Sequence, residues 1–108
     1  QAARSICAGK GMPTALFAAN DAMAIGALKL LKSRGISVPG DISMMGFDDI
    51  KFAAYCDPPL TTIHQPRSEI GALSMQMMLD QLEGRANANQ RIQLPHELIV
   101  RESVVAIS

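Results

Sequence analysis

Two short apolar segments, each followed by a polar pair, flank a helical pattern near the start of the chain. The first segment, Thr14–Ala19, is followed by Asn20-Asp21, and the second, Ile42–Phe47, by Asp48-Asp49. Apolar runs of this length are typical of buried strands. Between them, residues 22–32 carry apolar side chains at helical spacing. A strand, a helix and a strand with short connections predict a right-handed βαβ unit with two parallel strands.

Both ends of the predicted helix carry recognisable signals. Asn20 or Asp21 can cap its N-terminus, because a short polar side chain there accepts hydrogen bonds from the first backbone N–H groups. Gly35 supplies the left-handed residue that ends many helices, and Ile36 supplies the hydrophobic contact that accompanies it. We predict one face of this helix to pack on the sheet, and its residues are Met23, Ala27, Leu30 and Leu31.

The remaining sequence predicts further elements in alternation. A short helix covers about 50–55 and is ended by two prolines, which force the preceding residues into an extended conformation. A third strand covers 60–63, and a longer helix runs over about 66–83. A polar loop follows at 85–90, and the partly alternating pattern of residues 92–100 predicts one or two edge strands.

The longer helix is apolar around most of its circumference. Its polar side chains fall into one narrow stripe, formed by Glu69, Gln76, Asp80 and Glu83. Such a helix requires burial on several sides. Because the predicted strands are short, we expect this helix to pack against protein outside the chain.

Charge and length argue against several classes of function. The 108 residues include ten basic and ten acidic side chains, and neither sign forms a run. The chain therefore lacks the basic stripe that contacts nucleic acid, so any DNA contact is expected from residues outside it. No apolar stretch approaches the length that spans a bilayer. Two distant cysteines without a CxxC motif favour free thiols and a cytoplasmic location.

Polar residues at the strand ends form the candidate site. In a parallel sheet, ligands bind outside the carboxyl ends of the strands. Asn20 and Asp48 follow the first two predicted strands, and the third is followed by His64, Gln65 and Arg67. Amide and carboxylate groups suit polyols, sugars and nucleosides. Alternatively, the polar pairs only cap the following helices, and the residues after the third strand form an exposed joint.

The sequence offers no pattern for catalysis or metal binding. We find no nucleophile elbow, no phosphate-binding glycine loop and no paired metal ligands. Ser68 and Cys56 have no evident activating base, while His64 and His96 lack a second ligand at metal-binding spacing. We therefore expect no enzymatic activity, no metal and no cofactor.

Four motifs resemble the C-terminal part of the lactose/galactose repressor family of bacterial transcription regulators. They are AND-x-MA-x-GA, P-x-DIS-x-x-GFDD, PPLTTI-x-QP and LIVR-x-S, and they occur in family order between Pro13 and Val104. The resemblance implies an α/β fold of the periplasmic-binding-protein-like type (type I), a parallel-sheet three-layer αβα architecture of which this chain is a partial domain. It also implies two lobes hinged by three crossovers, with an effector in the cleft between them.

Family topology assigns residues 1–64 and about 97–108 to the C-terminal lobe and the helix at about 66–90 to the N-terminal lobe. A DNA-binding headpiece would then precede the chain, which begins with Gln rather than Met. Three residues match family positions that contact effector, and two more are further candidates: Asn20, Asp48 and Gln65, with Phe47 and Arg67.

The resemblance also implies partners. Segment 49–56 matches the stretch through which such regulators pair as homodimers, with Phe52, Ala53, Tyr55 and Cys56 as the predicted interface. The sequence looks closest to the cytidine-repressor and purine-repressor branch, so a nucleoside or nucleobase is the first choice of effector and a pentose or other sugar the second.

These observations predict the effector-sensing part of a repressor that catalyses no reaction. The alternative is a periplasmic sugar-binding protein of a transport system, which shares the fold. An upstream helix-turn-helix would favour the repressor, and an upstream signal peptide would favour the transport protein.

Overall fold

The computed structural model of the chain describes residues 1–9, 11–85 and 90–107. They form two compact units: one combines the residues up to His64 with the segment from Leu98 onward, and the other is Gln65–Glu97. The polar loop predicted at 85–90 includes residues 86–89, which lie outside the described residues. The assignment of these units to two lobes of the family fold stays a prediction.

The first unit is an α/β arrangement. Its elements in chain order are helix α1 (Ala2–Ala8), strand β1 (Ala15–Phe17), helix α2 (Asp21–Ser33), strand β2 (Ser43–Met45), a 3-10 helix (Lys51–Ala54), strand β3 (Thr62–His64) and the last two residues of strand β4 (Glu97–Ile99). β1 and β2 pair in parallel, with Ala15 opposite Ser43. This pairing around α2 confirms the predicted βαβ unit.

Single bridges continue the sheet beyond these short strands. Met45 forms a parallel bridge with Thr61, and Asp48 forms one with His64. The N–H of Gly46 donates to the carbonyl of Thr61 at 2.9 Å. β3 in turn is hydrogen-bonded to β4. The residues that follow β2 are therefore held against β3 as far as Asp48.

The chain after β4 runs across β2 and β3 and fastens them together. The N–H of Met44 donates to the carbonyl of Ser103 at 2.8 Å. The N–H of Thr61 donates to the Ser103 hydroxyl at 2.8 Å. Ser103 is fully buried, and its hydroxyl also donates to the carbonyl of Met44 at 2.5 Å, so that both oxygens of Ser103 are hydrogen-bonded. The LIVR-x-S motif therefore helps to hold β2 and the start of β3 together in this fold.

Helix α2 follows the predicted signals at both ends. The side-chain Oδ1 of Asn20 accepts the N–H of Met23 at 2.9 Å. Gly35 has a φ of +73°. The N–H of Ile36 donates to the carbonyl of Leu31 at 3.0 Å, and that of Gly35 donates to Lys32 at 3.1 Å. The last two bonds form a Schellman motif, which satisfies carbonyls at the helix end.

The face of α2 that packs on the sheet differs from the predicted one. Its buried apolar residues are Ala24, Leu28 and Leu31, spaced by four and three. Only Leu31 belongs to the predicted face, and Met23 is 56% exposed. They join the core of the first unit, whose other buried apolar members are Ile42, Met44, Ala53 and Leu60. The prediction was wrong for Met23 because the helix is rotated about its axis by roughly one residue position relative to the predicted orientation.

The second unit contains helix α3 (Arg67–Leu82), which ends close to Gly84 with its φ of +72°. None of its residues is buried, and Met75 and Leu82 are 63% and 76% exposed. The Nε2 of Gln76 donates to Oδ1 of Asp80 at 2.8 Å along the predicted polar stripe. Packing of α3 against protein outside the chain stays a prediction.

The described helices include none that could serve as a membrane span, because none combines sufficient length with sufficient apolar character.

Candidate functional site

Asn20 and Asp48 lie at the same edge of the first unit's sheet. Asn20 follows β1 and Asp48 follows β2, which runs parallel to it. The N–H of Asp21 donates to the carbonyl of Phe47 at 2.9 Å. Since Asp21 and Phe47 are their chain neighbours, one hydrogen bond brings Asn20 and Asp48 together. Their role in effector binding stays a prediction.

The side chain of Asn20 has two polar groups, and only one of them is used in a hydrogen bond within the described fold. Its Oδ1 caps α2, so the capping interpretation of this residue is confirmed. Among the described residues, the Nδ2 amide of Asn20 has no hydrogen-bond partner. The side chain is half-buried at the sheet edge. Asn20 can therefore cap the helix and donate to a bound molecule at the same time.

Asp48 begins a sharp turn between β2 and the 3-10 helix. Asp48 and Asp49 both have positive φ, +114° and +55°. Aspartate tolerates left-handed conformations better than most residues, and such backbone is concentrated at functional sites. The N–H of Asp48 donates to the carbonyl of Ile63 at 3.0 Å, which holds the turn on β3.

The other predicted effector residues divide between the two units. Phe47 is half-buried next to Asp48. Gln65, half-buried, and Arg67, exposed, belong to the second unit. Their convergence with Asn20 and Asp48 on one cleft stays a prediction.

Behind the edge lies a buried acidic network that sequence analysis missed. Asp21 is 0% exposed. Its Oδ1 accepts the hydroxyl of Thr62 at 2.6 Å, and its Oδ2 accepts the N–H of Ile50 at 2.8 Å. The Oγ1 of Thr62 also accepts the N–H of Asp49 at 3.2 Å. One carboxylate thus joins the start of α2 to β3 and to the Asp48-Asp49 turn.

The carboxylate of Asp49 contacts the side chains of a histidine and an arginine. Its Oδ2 lies 2.9 Å from Nδ1 of His64, and its Oδ1 accepts Nη2 of Arg101 at 2.8 Å. The carboxylate side chain is only 16% exposed. Burial raises the pKa of Asp49, but the hydrogen bonds and charges of Arg101 and His64 outweigh it and hold the pKa below its ordinary value of 3.8. Sequence analysis placed Asp49 in the polar pair that follows the second strand and Arg101 in the LIVR-x-S motif, but it did not predict that these two residues contact each other.

The lowered pKa of Asp49 predicts a particular pH dependence of stability. A carboxyl group whose pKa is lower in the folded state stabilises the fold above its unfolded pKa, and this contribution is lost as the pH falls through the folded pKa. Asp49→Asn should therefore destabilise the protein near neutral pH and by a shrinking amount below about pH 4. Urea unfolding of wild type and variant over this range measures the difference. A difference that grows towards acid pH would contradict the assignment.

The predicted dimer surface is smaller than the sequence suggested. Phe52 and Tyr55 are 56% and 77% exposed, whereas Ala53 is 0% exposed and packs in the core. Ala53 therefore offers no surface to a partner, which corrects its placement in the patch. Cys56 is half-buried, and its Sγ donates to the carbonyls of Ala53 and Pro58, each at 3.3 Å. Burial raises the pKa of the Cys56 thiol.

Within the residues that the structure describes, no group of three or more His, Cys, Asp or Glu side chains is arranged to hold a metal ion.

Comparison with known proteins defines the family. Residues 1–104 match the model of the periplasmic binding protein-like domain, and the chain belongs to this family. It is 47% identical over 95 residues to the HTH-type transcriptional repressor CytR of Escherichia coli (strain K12), covering 88% of this chain and 28% of that protein. It is 39% identical over 103 residues to the repressor PurR of Vibrio campbellii (strain ATCC BAA-1116), covering 95% of this chain and 31% of that protein.

Solved structures agree with the sequence relatives. A LacI family transcriptional regulator from Enterococcus faecium with bound ribose superimposes with a TM-score of 0.83 at 31% identity, covering 98% of this chain and 39% of that one. The Lac repressor dimer bound to operator and the anti-inducer ONPF gives 0.79 at 37% identity, covering 87% and 32%. The resemblance to the lactose/galactose repressor effector-binding domain and the periplasmic-binding-protein-like fold are confirmed. The chain spans 28% and 31% of the length of these two curated relatives.

Proposed function

We propose that this chain is the effector-sensing part of a bacterial transcriptional repressor, which binds a small molecule in a cleft between two lobes. The observation that carries the proposal is the adjacent placement of Asn20 and Asp48 at the carboxyl edge of a parallel sheet, fixed by the Asp21 to Phe47 hydrogen bond. Ligands of open α/β sheets bind at such edges. Similarity to two repressors supports the regulator over a transport protein.

The polar groups of the proposed site define the chemistry it would recognise. The Nδ2 of Asn20 donates, the carboxylate of Asp48 accepts, and the amide of Gln65 does both. Phe47 would add an aromatic surface and Arg67 a charge. This inventory fits a nucleoside or nucleobase first and a pentose or other sugar second. The effector would be bound and released unchanged, and no residue is assigned a catalytic role.

Effector binding would act on DNA indirectly. A ligand that binds one arrangement of the lobes better than another shifts the population toward that arrangement. The shift would alter operator binding by headpieces outside this chain, in a cytoplasmic homodimer whose contacts include Phe52 and Tyr55. The fraction of each relative that the chain covers leaves room for such a headpiece.

A thermal-shift screen of the complete protein tests the proposal. The panel is cytidine, uridine, adenosine, guanine and D-ribose. A ligand at one hundred times its Kd stabilises the folded state by about 2.7 kcal/mol, which raises Tm by several degrees. We expect this for at least one member of the panel. An unchanged Tm with all five would contradict the proposed effector class.

The Asp48→Ala variant tests the site within that function. Loss of a charged hydrogen-bond acceptor should weaken effector binding by about 1 to 3 kcal/mol, and calorimetry on the complete protein measures it. Asp41→Ala is the matched control, because Asp41 precedes β2 and Asp48 follows it. The Asp41 Oδ2 accepts the N–H of Ser37 at 2.8 Å in an exposed turn. Equal affinity in wild type and Asp48→Ala would remove Asp48 from the site.

A further inference from the structure

The carboxylate of Asp49 connects three parts of the chain that meet at the edge of the first unit. Its two oxygens are engaged separately, one with Nδ1 of His64 at 2.9 Å and one with Nη2 of Arg101 at 2.8 Å. Its N–H donates to Oγ1 of Thr62 at 3.2 Å. Backbone and side chain of Asp49 are thus both tied to residues far away in sequence.

Its partners lie next to the two points where the chain passes between the units. His64 is the last residue before the chain enters the second unit, and the chain returns at Leu98, three residues before Arg101. Arg101 is fixed by its own bonds, from Nη1 to the carbonyl of Leu60 at 2.9 Å and from its N–H to Oγ1 of Thr61 at 2.9 Å. Through its contacts with His64 and Arg101, Asp49 therefore links the turn that begins at Asp48 to residues near both of these points.

This turn cannot hold its shape through local preferences alone. Asp48 and Asp49 both have positive φ, and such backbone persists only where the surrounding structure determines it. The N–H of Asp48 donates to the carbonyl of Ile63 at 3.0 Å. Asp49, the next residue of the turn, is held by its side-chain contacts with His64 and Arg101. Without the contacts of Asp49, fewer interactions would hold the turn that carries Asp48.

We infer that Asp49 is a positioning residue for the effector site: through His64 and Arg101 it fixes the direction of Asp48 relative to the two chain passages. The inference rests on the proposed function, because it assigns Asp49 a task in presenting Asp48 to the effector. A purely structural ion pair would instead stabilise the fold without changing affinity at a given stability.

The experiment compares Asp49→Asn with wild type in the complete protein. Asn keeps the volume and removes the charge and one acceptor. Calorimetry gives the Kd for whichever of cytidine, uridine, adenosine, guanine or D-ribose binds wild type. Hydrogen–deuterium exchange of a peptide covering residues 45–52 reports on the turn itself, because the N–H groups of Asp48, Asp49 and Ile50 are all hydrogen-bonded. Leu31→Val, in the core of the same unit, is the control for lost stability.

A positioning role predicts changes that the control does not show. Asp49→Asn should raise Kd at least fivefold and speed exchange in this peptide more than Leu31→Val does. His64→Gln, which keeps a donor for Asp49, should retain affinity closer to wild type than His64→Ala does. A rise in Kd below fivefold, or one matched by Leu31→Val, would overturn the inference. If no panel member binds wild type, the proposed effector class fails, and exchange no faster than in the control then overturns the positioning role separately.

Discussion

Asp21→Ala is expected to lower the free energy of unfolding by about 3 to 4 kcal/mol, the largest effect of any change proposed for this chain. Asp21 is completely buried and accepts both the Thr62 hydroxyl and the Ile50 N–H. Removal of its carboxylate leaves two donors without acceptors, and each such loss in a buried position costs about 1 to 3 kcal/mol. The variant also removes an acidic group from the first turn of α2, where it interacts favourably with the helix dipole.

Asp21→Asn is the control that separates hydrogen bonding from volume. Its side-chain oxygen can still accept the Ile50 N–H, and its amide can donate to the Thr62 hydroxyl. We expect it to lose about 1 to 2 kcal/mol, since bonds to a charged acceptor are replaced by neutral ones. Urea denaturation of the complete protein, followed by circular dichroism, gives the midpoints. Equal losses in both variants would contradict the expectation that neutral hydrogen bonds from an amide retain part of the stabilisation.

The elements that the sequence predicted well are those with local causes. The cap at Asn20 and the stop at Gly35 each depend on residues within one helical turn, and both are observed. The parallel pairing of β1 with β2 follows from the short connection through α2, which leaves few topologies open. Local signals of this kind can be recognised without knowledge of the tertiary fold.

The buried faces could not be predicted as well, because they depend on how an element docks. Met23 and Ala24 are neighbours, and both satisfy an apolar helical pattern. The structure buries Ala24 completely and leaves Met23 56% exposed. Ala53 was assigned to the dimer patch through the family resemblance of segment 49–56, although it packs in the core. The period of a pattern gives the width of an apolar face more reliably than its direction.

The acidic network was missed because its contacts are distant in sequence. Asp49 and Arg101 are 52 residues apart, and Asp21 and Thr62 are 41 apart. Two adjacent aspartates in the GFDD motif also look equivalent in sequence. The conformation of the turn places Asp49 against Arg101 and His64. Which of the two aspartates makes these contacts depends on the tertiary fold and cannot be read from the sequence.

Gly46→Ala is expected to destabilise the protein by about 3 kcal/mol, because the space beside this glycine is already filled. A Cβ at position 46 would overlap Oδ1 of Asp21 and would lie 3.1 Å from Cδ2 of Leu60. Neither neighbour can move freely. Asp21 is held by the Thr62 hydroxyl and the Ile50 N–H, and Leu60 is fully buried in the core. The added methyl group must therefore displace the buried carboxylate from its donors.

Gly26→Ala provides the matched control, since the same chemical change there should have the opposite sign. A Cβ at Gly26, inside α2, would meet nothing within 4 Å, and replacing glycine in a helix by alanine stabilises it by about 0.5 to 1 kcal/mol. Urea midpoints of the two variants measure the contrast. The double variant Asp21→Ala with Gly46→Ala should lose less than the sum of the single losses, because removal of the Asp21 carboxylate makes room for the new methyl group. Strict additivity, or a Gly46→Ala loss below about 1 kcal/mol, would mean that Asp21 and Gly46 do not share the tightly packed site proposed here.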